Sequence, residues 1–207
     1  MFVTFEGIEG SGKSTVIAAV ASLLRERGLA VLVTREPGGT PLGDAVRSLF
    51  LESKIRIDPL SEAFLINASR AQHVTEVIGP ALKEAQLVLC DRFFDSTIAY
   101  QGFGRGLDVD MLLRLCQDAT QRIAPDLTFV LDVPPELSAT RVAARGAGDR
   151  LEREGLAFHH RVRDGYLQLA QRFGRIHVID GSLPPDEVVA LVLAELEVHR
   201  ARRLGGA

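Results

Sequence analysis

Residues 7–15 read Gly7-Ile8-Glu9-Gly10-Ser11-Gly12-Lys13-Ser14-Thr15 (GIEGSGKST), directly after a short apolar run, Phe2–Glu6 (FVTFE). Gly-x-x-x-x-Gly-Lys-Ser between a strand pattern and a helix pattern is the Walker A phosphate loop, in the context that gives the motif meaning. Its glycines let successive backbone N–H groups converge on phosphate oxygens, and the head of the following helix adds the positive end of its dipole. Lys13 is placed to bridge the β- and γ-phosphates of a nucleoside triphosphate, and Ser14 to give its hydroxyl to Mg²⁺. All nine residues, Gly7 to Thr15, are candidate triphosphate contacts. The motif says what binds and is silent on where the phosphate goes.

Outward from the loop, β-type runs alternate with helical patterns. Strands are expected at Phe2–Glu6, Ala30–Thr34, Leu87–Asp91, Leu127–Val133 and Ile176–Asp180. They are almost continuously apolar, as strands covered on both faces of a parallel sheet must be. Helical periodicity marks Ser14–Arg27 and residues 42–52, 60–85, 108–122, 135–145, 155–172 and 185–202, while Arg200–Ala207 reads as a frayed tail. Such alternation implies a doubly wound α/β sheet, whose ligands sit beyond the carboxyl ends of the strands. No internal repeat and no Pro, Gly or Ser-rich linker divides the chain, so residues 1–207 read as one domain.

The polar residues after each strand are therefore the informative ones. Asp91 ends the run LVLCD and is the expected Walker B-type carboxylate for Mg²⁺; Asp132, at the end of another strand, competes for the role. The Asn/Thr-Lys-x-Asp motif that reads guanine is absent, which argues against a GTPase. Arg35-Glu36-Pro37-Gly38-Gly39-Thr40 (REPGGT) lands on the same rim and reads as a site loop. Arg70 stands on a helical segment with Ile66 one turn before it, on the same face. The stretch Asp91–Gly106 (DRFFDSTIAYQGFGRG) gathers Arg92, Ser96, Thr97, Tyr100, Gln101 and Arg105. Gln101 can read an amide-type base edge, and Arg70 and Arg92 can grip a monophosphate with forked donors.

Together GIEGSGKST, REPGGT, DRFFDSTIAYQGFGRG and GDRLE resemble the bacterial thymidylate kinases, over roughly residues 1–195 and in the expected order. The resemblance implies phosphoryl transfer from ATP to dTMP with Mg²⁺, a step toward dTTP for DNA replication. It also implies a P-loop nucleoside-monophosphate-kinase fold: an α/β, five-stranded parallel sheet flanked by helices, with a mobile lid. By the same resemblance Arg70 and Arg92 bind the dTMP phosphate, with Arg92 near the transferred group. Pro37 borders the base, Thr97, Tyr100 and Gln101 line the nucleoside pocket, and the protein is a homodimer joined through helices; Glu36, in the same loop, is a further candidate substrate contact. One departure stands out. The family usually has Phe four residues before the Arg70 position, stacked on thymine; here it is Ile66, with Phe64 two residues earlier, so either aliphatic contact from Ile66 replaces the stacking or Phe64 reaches in to the base.

Phosphoryl transfer also needs positive charge around the moving group, and the phosphate loop carries only Glu9 and Ser11 where some relatives have Arg. Residues 141–163 hold six arginines against three acids, inside a chain of net charge −3. Their middle, RGAGDRLEREG, has two close glycines. This reads as a lid, roughly 141–155, that closes over ATP, excludes water and brings the catalytic Arg145 or Arg150 to the phosphates. Glu9 would then orient substrate or a lid arginine.

The rest of the composition is ordinary, with 46% hydrophobic and 25% charged residues. Net charge −3 gives no basic field for nucleic acid. Cys90 and Cys116 lack metal-type spacing and read as reduced core thiols. With no apolar stretch near the ~20 residues of a membrane span and no basic leader, the expectation is a cytoplasmic protein without a membrane partner. Two alternatives remain at this level: a kinase of another nucleoside monophosphate on the same fold, and an ATP-dependent switch protein.

Overall fold

The computed structural model describes residues 1–51, 55–144, 146, 150–151 and 154–205. Among them, β1 (Phe2–Glu6), β2 (Val31–Arg35), β3 (Leu87–Asp91), β4 (Leu127–Asp132) and β5 (Ile176–Asp180) form one sheet in the order β2-β3-β1-β4-β5, with every pairing parallel. The expected strands are all present, with β2 shifted one residue toward Arg35 and β4 ending one residue earlier, at Asp132. From β1 the chain passes beyond β3 to the edge strand β2; from β3 it crosses β1 to reach β4. The direction of winding thus reverses between β1 and β3, where a doubly wound sheet opens its crevice. Register sharpens this: Phe5 pairs with Asp91, Arg35 with Asp91, and Glu6 with Val130, so the loops after these strands leave from one level.

Helices α1 (Lys13–Glu26) and α9 (Pro185–Gly205) cover one face. Val16, Ile17, Val20 and Leu24 of α1 meet Val188, Val192 and Leu196 of α9 and the β-strand residues Val3, Phe5 and Phe129. Each such side chain taken out of water contributes about 1.5–3 kcal/mol. Leu193 and Leu196 are part of this core, and α9 continues to Gly205, so the tail expected from Arg200 is helical instead. Ala201, Arg202, Arg203 and Leu204 favour helix.

The other face is layered by α2 (Pro41–Leu51), α3 (Pro59–His73), α4 (Gly79–Lys83), α5 (Phe94–Thr97), α6 (Val109–Ala119), α7 (Pro135–Ala143) and α8 (Leu156–Arg172). Two wide π-turns join the series. Val74–Ile78 connects α3 to α4, with Gly79 N–H bonded to Val74 O, five residues back. Pro80 explains it: a proline ring has no N–H to give and collides with the carbonyl four residues before it, which a wider turn moves away. The second, Ile98–Gly104, continues α5. Periodicity marked no helix over residues 94–104, because Thr97, Ile98, Gly102 and Gly104 are poor helix formers.

Packing on α8 supplies what propensity lacks. A Cβ on Gly104 would come within 2.7 Å of the Phe158 ring, and one on Gly165 within 2.6 Å of Phe103. The two glycines let the π-turn and α8 approach backbone to backbone. Gly165→Ala is expected to cost about 1–3 kcal/mol by overpacking. Urea denaturation would show a lower midpoint at unchanged slope; an unchanged midpoint would mean that Phe103 repacks freely.

Candidate functional site

At the carboxyl ends of β1 and β3 a cavity of about 320 Å³ opens over the sheet. One side is the loop Gly7–Gly12, with Gly7, Gly10 and Gly12 at φ 132°, 73° and 93°, leading into α1 without any side-chain cap. The uncapped N–H groups at the head of α1 and its dipole form an anion site. Lys13 is folded over the loop, its Nζ donating to Gly7 O at 3.1 Å, Ile8 O at 3.0 Å and Ser11 Oγ at 3.2 Å. Burial, and next the Arg92 guanidinium, lower its pKa below the usual lysine value. Ser14 Oγ donates to Asp91 Oδ2 at 2.9 Å. A hydroxyl and a carboxylate oxygen this close are the donor set that a hard cation such as Mg²⁺ takes, alongside phosphate and water oxygens. Asp132, the competing carboxylate, is clamped by Arg163 at 2.7 and 2.8 Å.

Arg92 stands between the two halves of the cavity. It leaves β3 at φ 71°, a left-handed conformation costing a non-glycine residue of order 1–3 kcal/mol. Its N–H is held by Phe5 O at 2.9 Å. Nη1 donates to Gly7 O (2.9 Å), Ser96 Oγ (3.1 Å) and Tyr166 OH (3.2 Å); Nη2 donates to Glu9 Oε1 (2.5 Å) and Tyr100 OH (3.2 Å). Burial disfavours its charge, yet Glu9 and the two tyrosines outweigh this and hold its pKa well above the ordinary value. Burial likewise raises Glu9, but Arg92, Lys13 and Arg47 overcome it and bring that carboxyl down to about 2.

The far wall is built by α3, α5 and the second π-turn. Ile66, Arg70, Thr97, Tyr100 and Gln101 line it, with Pro37 and Phe50 beside them. Arg70 is 1% exposed and donates Nε to Glu36 (2.7 Å), Nη1 to Asn67 Oδ1 (2.9 Å) and Thr97 Oγ1 (3.0 Å), and Nη2 to Phe93 O (3.2 Å). Glu36 is also bonded by His73 Nδ1 at 3.1 Å, and His73 Nε2 meets Thr34 Oγ1 at 2.7 Å. Five cationic side chains, Lys13, Arg35, Arg47, Arg70 and Arg92, share the cavity with three carboxylates, Glu9, Glu36 and Asp91. That excess suits phosphate groups meeting a mostly uncharged wall.

The family model described as thymidylate kinase matches residues 5–192. The chain belongs to the thymidylate kinase family. Thymidylate kinase of Carboxydothermus hydrogenoformans is 50% identical over 187 residues, covering 90% of this chain and 92% of that one. The thymidylate kinase of Deinococcus radiodurans is 49% identical over 198 residues, covering 94% and 95%. The crystal structure of thymidylate kinase from Ehrlichia chaffeensis superposes with a TM-score of 0.77 at 38% identity, covering 95% of this chain and 98% of that one.

Among thymidylate kinases the Ile66 departure is the instructive feature. Ile66 is 9% exposed and lines the cavity, whereas Phe64 is 54% exposed on the outer side of α3. Two residues on a helix are about 200° apart, so both cannot face the ligand. Phe50 of α2, which no sequence motif marked, lines the cavity as well, alongside Phe93 and Tyr100. Glu36 lies at the cavity too, though Arg70 and His73 occupy its oxygens. Arg150 Nε donates to Phe50 O at 2.9 Å and Nη1 to Glu62 Oε1 at 2.6 Å, which docks it behind Phe50 of the cavity wall rather than on the phosphate loop. Arg145 lies outside the described residues, as do 147–149 and 152–153 of the expected lid. From the same arginine-rich segment, Arg141 reaches the phosphate loop itself, with Nη1 3.4 Å from Gly10 O and 2.9 Å from Gly181 O.

Beneath Arg92 lies a second layer that the motifs did not indicate. Glu6, fully buried at the end of β1, accepts from Phe93 N (2.7 Å), Ser96 Oγ (2.5 Å) and Tyr166 OH (3.0 Å). Ser96 and Tyr166 give their protons to Glu6 and so turn lone pairs toward Arg92. Tyr166 sits in an amphipathic helix, and only its rarity, as one of two tyrosines, set it apart. Burial, then Asp95, raise Glu6 from 4.5 to about 7 against the opposing pull of Ser96, Arg92 and the Phe93 amide. A carboxyl with a raised native pKa favours the folded state at low pH and loses that contribution as pH rises toward 7. Thermal melts of Glu6→Gln should therefore lack a decline in stability between pH 4.5 and 7 that wild type shows; parallel curves would refute the shift.

Proposed function

We propose that this chain transfers the terminal phosphoryl group of ATP to the phosphate of dTMP, giving ADP and dTDP. One observation carries the reading beyond family membership. The phosphate loop and the wall formed by Ile66, Thr97, Tyr100 and Gln101 line a single cavity, with Arg92 at their junction. A donor phosphate and an acceptor phosphate held from its two sides would meet there.

ATP supplies the phosphoryl group, and Mg²⁺, when bound by Ser14 and Asp91, supplies positive charge and a template for the phosphate oxygens. The oxygen donors present fit such an ion, and no group of three or more His, Cys, Asp or Glu among the described residues competes as a metal site. The chain's own part is orientation and charge. The loop amides and Lys13 hold the donor phosphates, and Lys13 follows the charge that moves off the terminal group. Arg92 stabilises the equatorial oxygens of that group during in-line transfer, when the charge is most spread. Glu9 keeps Arg92 aligned until the acceptor phosphate arrives. The acceptor is already anionic, so no general base is required. Arg70, with four of its five N–H donors engaged by protein, leaves one for the nucleoside; the heavier phosphate grip falls to Arg92, with Arg35 and Arg47 on the same wall.

The reading extends to one domain with a lid at 141–155 that shields the phosphates from water, and to a homodimer in the cytoplasm with no nucleic-acid or membrane partner. Exposed Leu60 and Phe64, one turn apart on α3, offer apolar surface for a helical dimer contact. No helix among the described residues is long and apolar enough to cross a membrane.

ADP release with dTMP, dUMP, dCMP, AMP and GMP as acceptors tests the reaction. The expected best substrate is dTMP, with dUMP next; a different best substrate, or slow ATP hydrolysis indifferent to dTMP, would sink the reading. Arg92→Ala should lower kcat by about 10³-fold or more, and near-normal turnover would move its role to another arginine. Arg150→Ala distinguishes lid from wall. A lid arginine loses more in kcat than in ATP affinity, whereas a wall residue mainly raises the KM for dTMP.

A further inference from the structure

Glu62 enters α3 in its first turn and is completely buried. Four donors converge on it. Arg150 Nη1 (2.6 Å) and Arg105 Nη2 (3.2 Å) reach Oε1, while Arg105 Nε (3.3 Å) and Gln101 Nε2 (3.1 Å) reach Oε2. A carboxylate has about four lone-pair sites, so this one is saturated. The clamp is also stiff: Arg105 stacks on Phe158 at 4.8 Å and pairs with Glu154 at 2.7 Å, and Arg150 stacks on Phe50 at 4.6 Å.

The consequence falls on Gln101. The two ends of an amide have nearly the same shape and opposite hydrogen-bonding sense. An acceptor-only neighbour decides between them, because a half-turn would set the amide oxygen against the carboxylate. Nε2 is thereby fixed on Glu62, and Oε1 is fixed at the other end. Oε1 is buried and has no hydrogen-bond partner among the described residues, and Gln101 forms part of the cavity wall. A buried acceptor without a donor is destabilising, and a ligand N–H would offset that cost.

We propose that Glu62 is a positioning residue that sets base selectivity: by holding the Gln101 amide nitrogen it presents Oε1 as an acceptor to the base. Thymine and uracil carry a ring imide N–H that satisfies it; cytosine carries a lone pair at the same ring nitrogen and is rejected. The proposal rests on the acceptor site described under the proposed function and deepens it, since no base-reading role attaches to Glu62 in the family motifs.

Calorimetric dissociation constants for dTMP and dCMP, measured on the full chain, test it without requiring turnover. Wild type should favour dTMP by about tenfold or more. Glu62→Gln, which can offer its own N–H to Gln101 and release the amide to turn, should shrink that ratio by about tenfold. Gln101→Met should shrink it similarly. Arg105→Ala removes two of the four donors but leaves the Gln101–Glu62 bond, so it should lower the melting temperature and keep the ratio within about twofold. A folded Glu62→Gln with the wild-type ratio overturns the proposal, as does an Arg105→Ala that loses the ratio equally. Should Glu62→Gln fail to fold, an unchanged ratio in Gln101→Met overturns it. A wild type that binds dTMP without phosphorylating it contradicts the proposed function and leaves the ratio to decide here; one that binds neither nucleotide overturns both.

Discussion

The guanidinium of Arg92 is the point on which this structure turns. It ties together the loop after β1 through Gly7 and Glu9, the turn after β3 through Ser96, the second π-turn through Tyr100, and α8 through Tyr166. A residue held in the left-handed region persists only where its surroundings over-determine it. Here five acceptors do so, and two of them owe their orientation to the buried carboxylate of Glu6. The cost of burying Glu6 and of partly burying Glu9 and Arg92 is met by pairing each with polar partners, as low dielectric demands. What results is a fixed positive charge at the one place where the loops of β1 and β3 face each other.

The sheet explains why that place exists. Order β2-β3-β1-β4-β5 sets β1 and β3 side by side while sending their connections to opposite flanks. A phosphate loop after one strand and an Asp-Arg pair after the other must then share a crevice. On the proposed reading, selectivity is built on a separate support. The wall carrying Ile66, Arg70, Thr97 and Gln101 hangs from α3, α5 and the second π-turn, braced by two buried acids, Glu36 and Glu62. If the wall reads the base as proposed, charge handling and base reading rest on different buried carboxylates and can be perturbed independently.

Much of this was legible in the chain. Apolar runs of parallel-sheet type marked every strand within a residue, and the polar residues at their carboxyl ends, Asp91, Arg92 and the loop from Arg35, mark the cavity rim. Helical spacing alone puts Ile66 and Arg70 on one face and turns Phe64 away. What stayed hidden had no local signal. The helical turns over residues 94–104 run against propensity and exist because Gly104 and Gly165 admit close packing with α8. Glu6 and Tyr166 lie 160 positions apart, and Glu62 meets Arg150 across 88. A buried acid at the end of an apolar strand, or in the first turn of a helix, reads as an ordinary strand end or cap. Its partners emerge only when the fold closes. Arg150 illustrates the converse, since its charge was legible while its docking on Glu62 was not.

A crystal structure with dTMP, a non-hydrolysable ATP analogue and Mg²⁺ bound together tests the central claim most directly. The account predicts the dTMP phosphate within hydrogen-bonding distance of Arg92, in line with the terminal phosphate over Lys13, and the base between Ile66 and Gln101. A dTMP bound elsewhere, or an Arg92 still engaged only by Glu9 and the two tyrosines with both nucleotides in place, would contradict it.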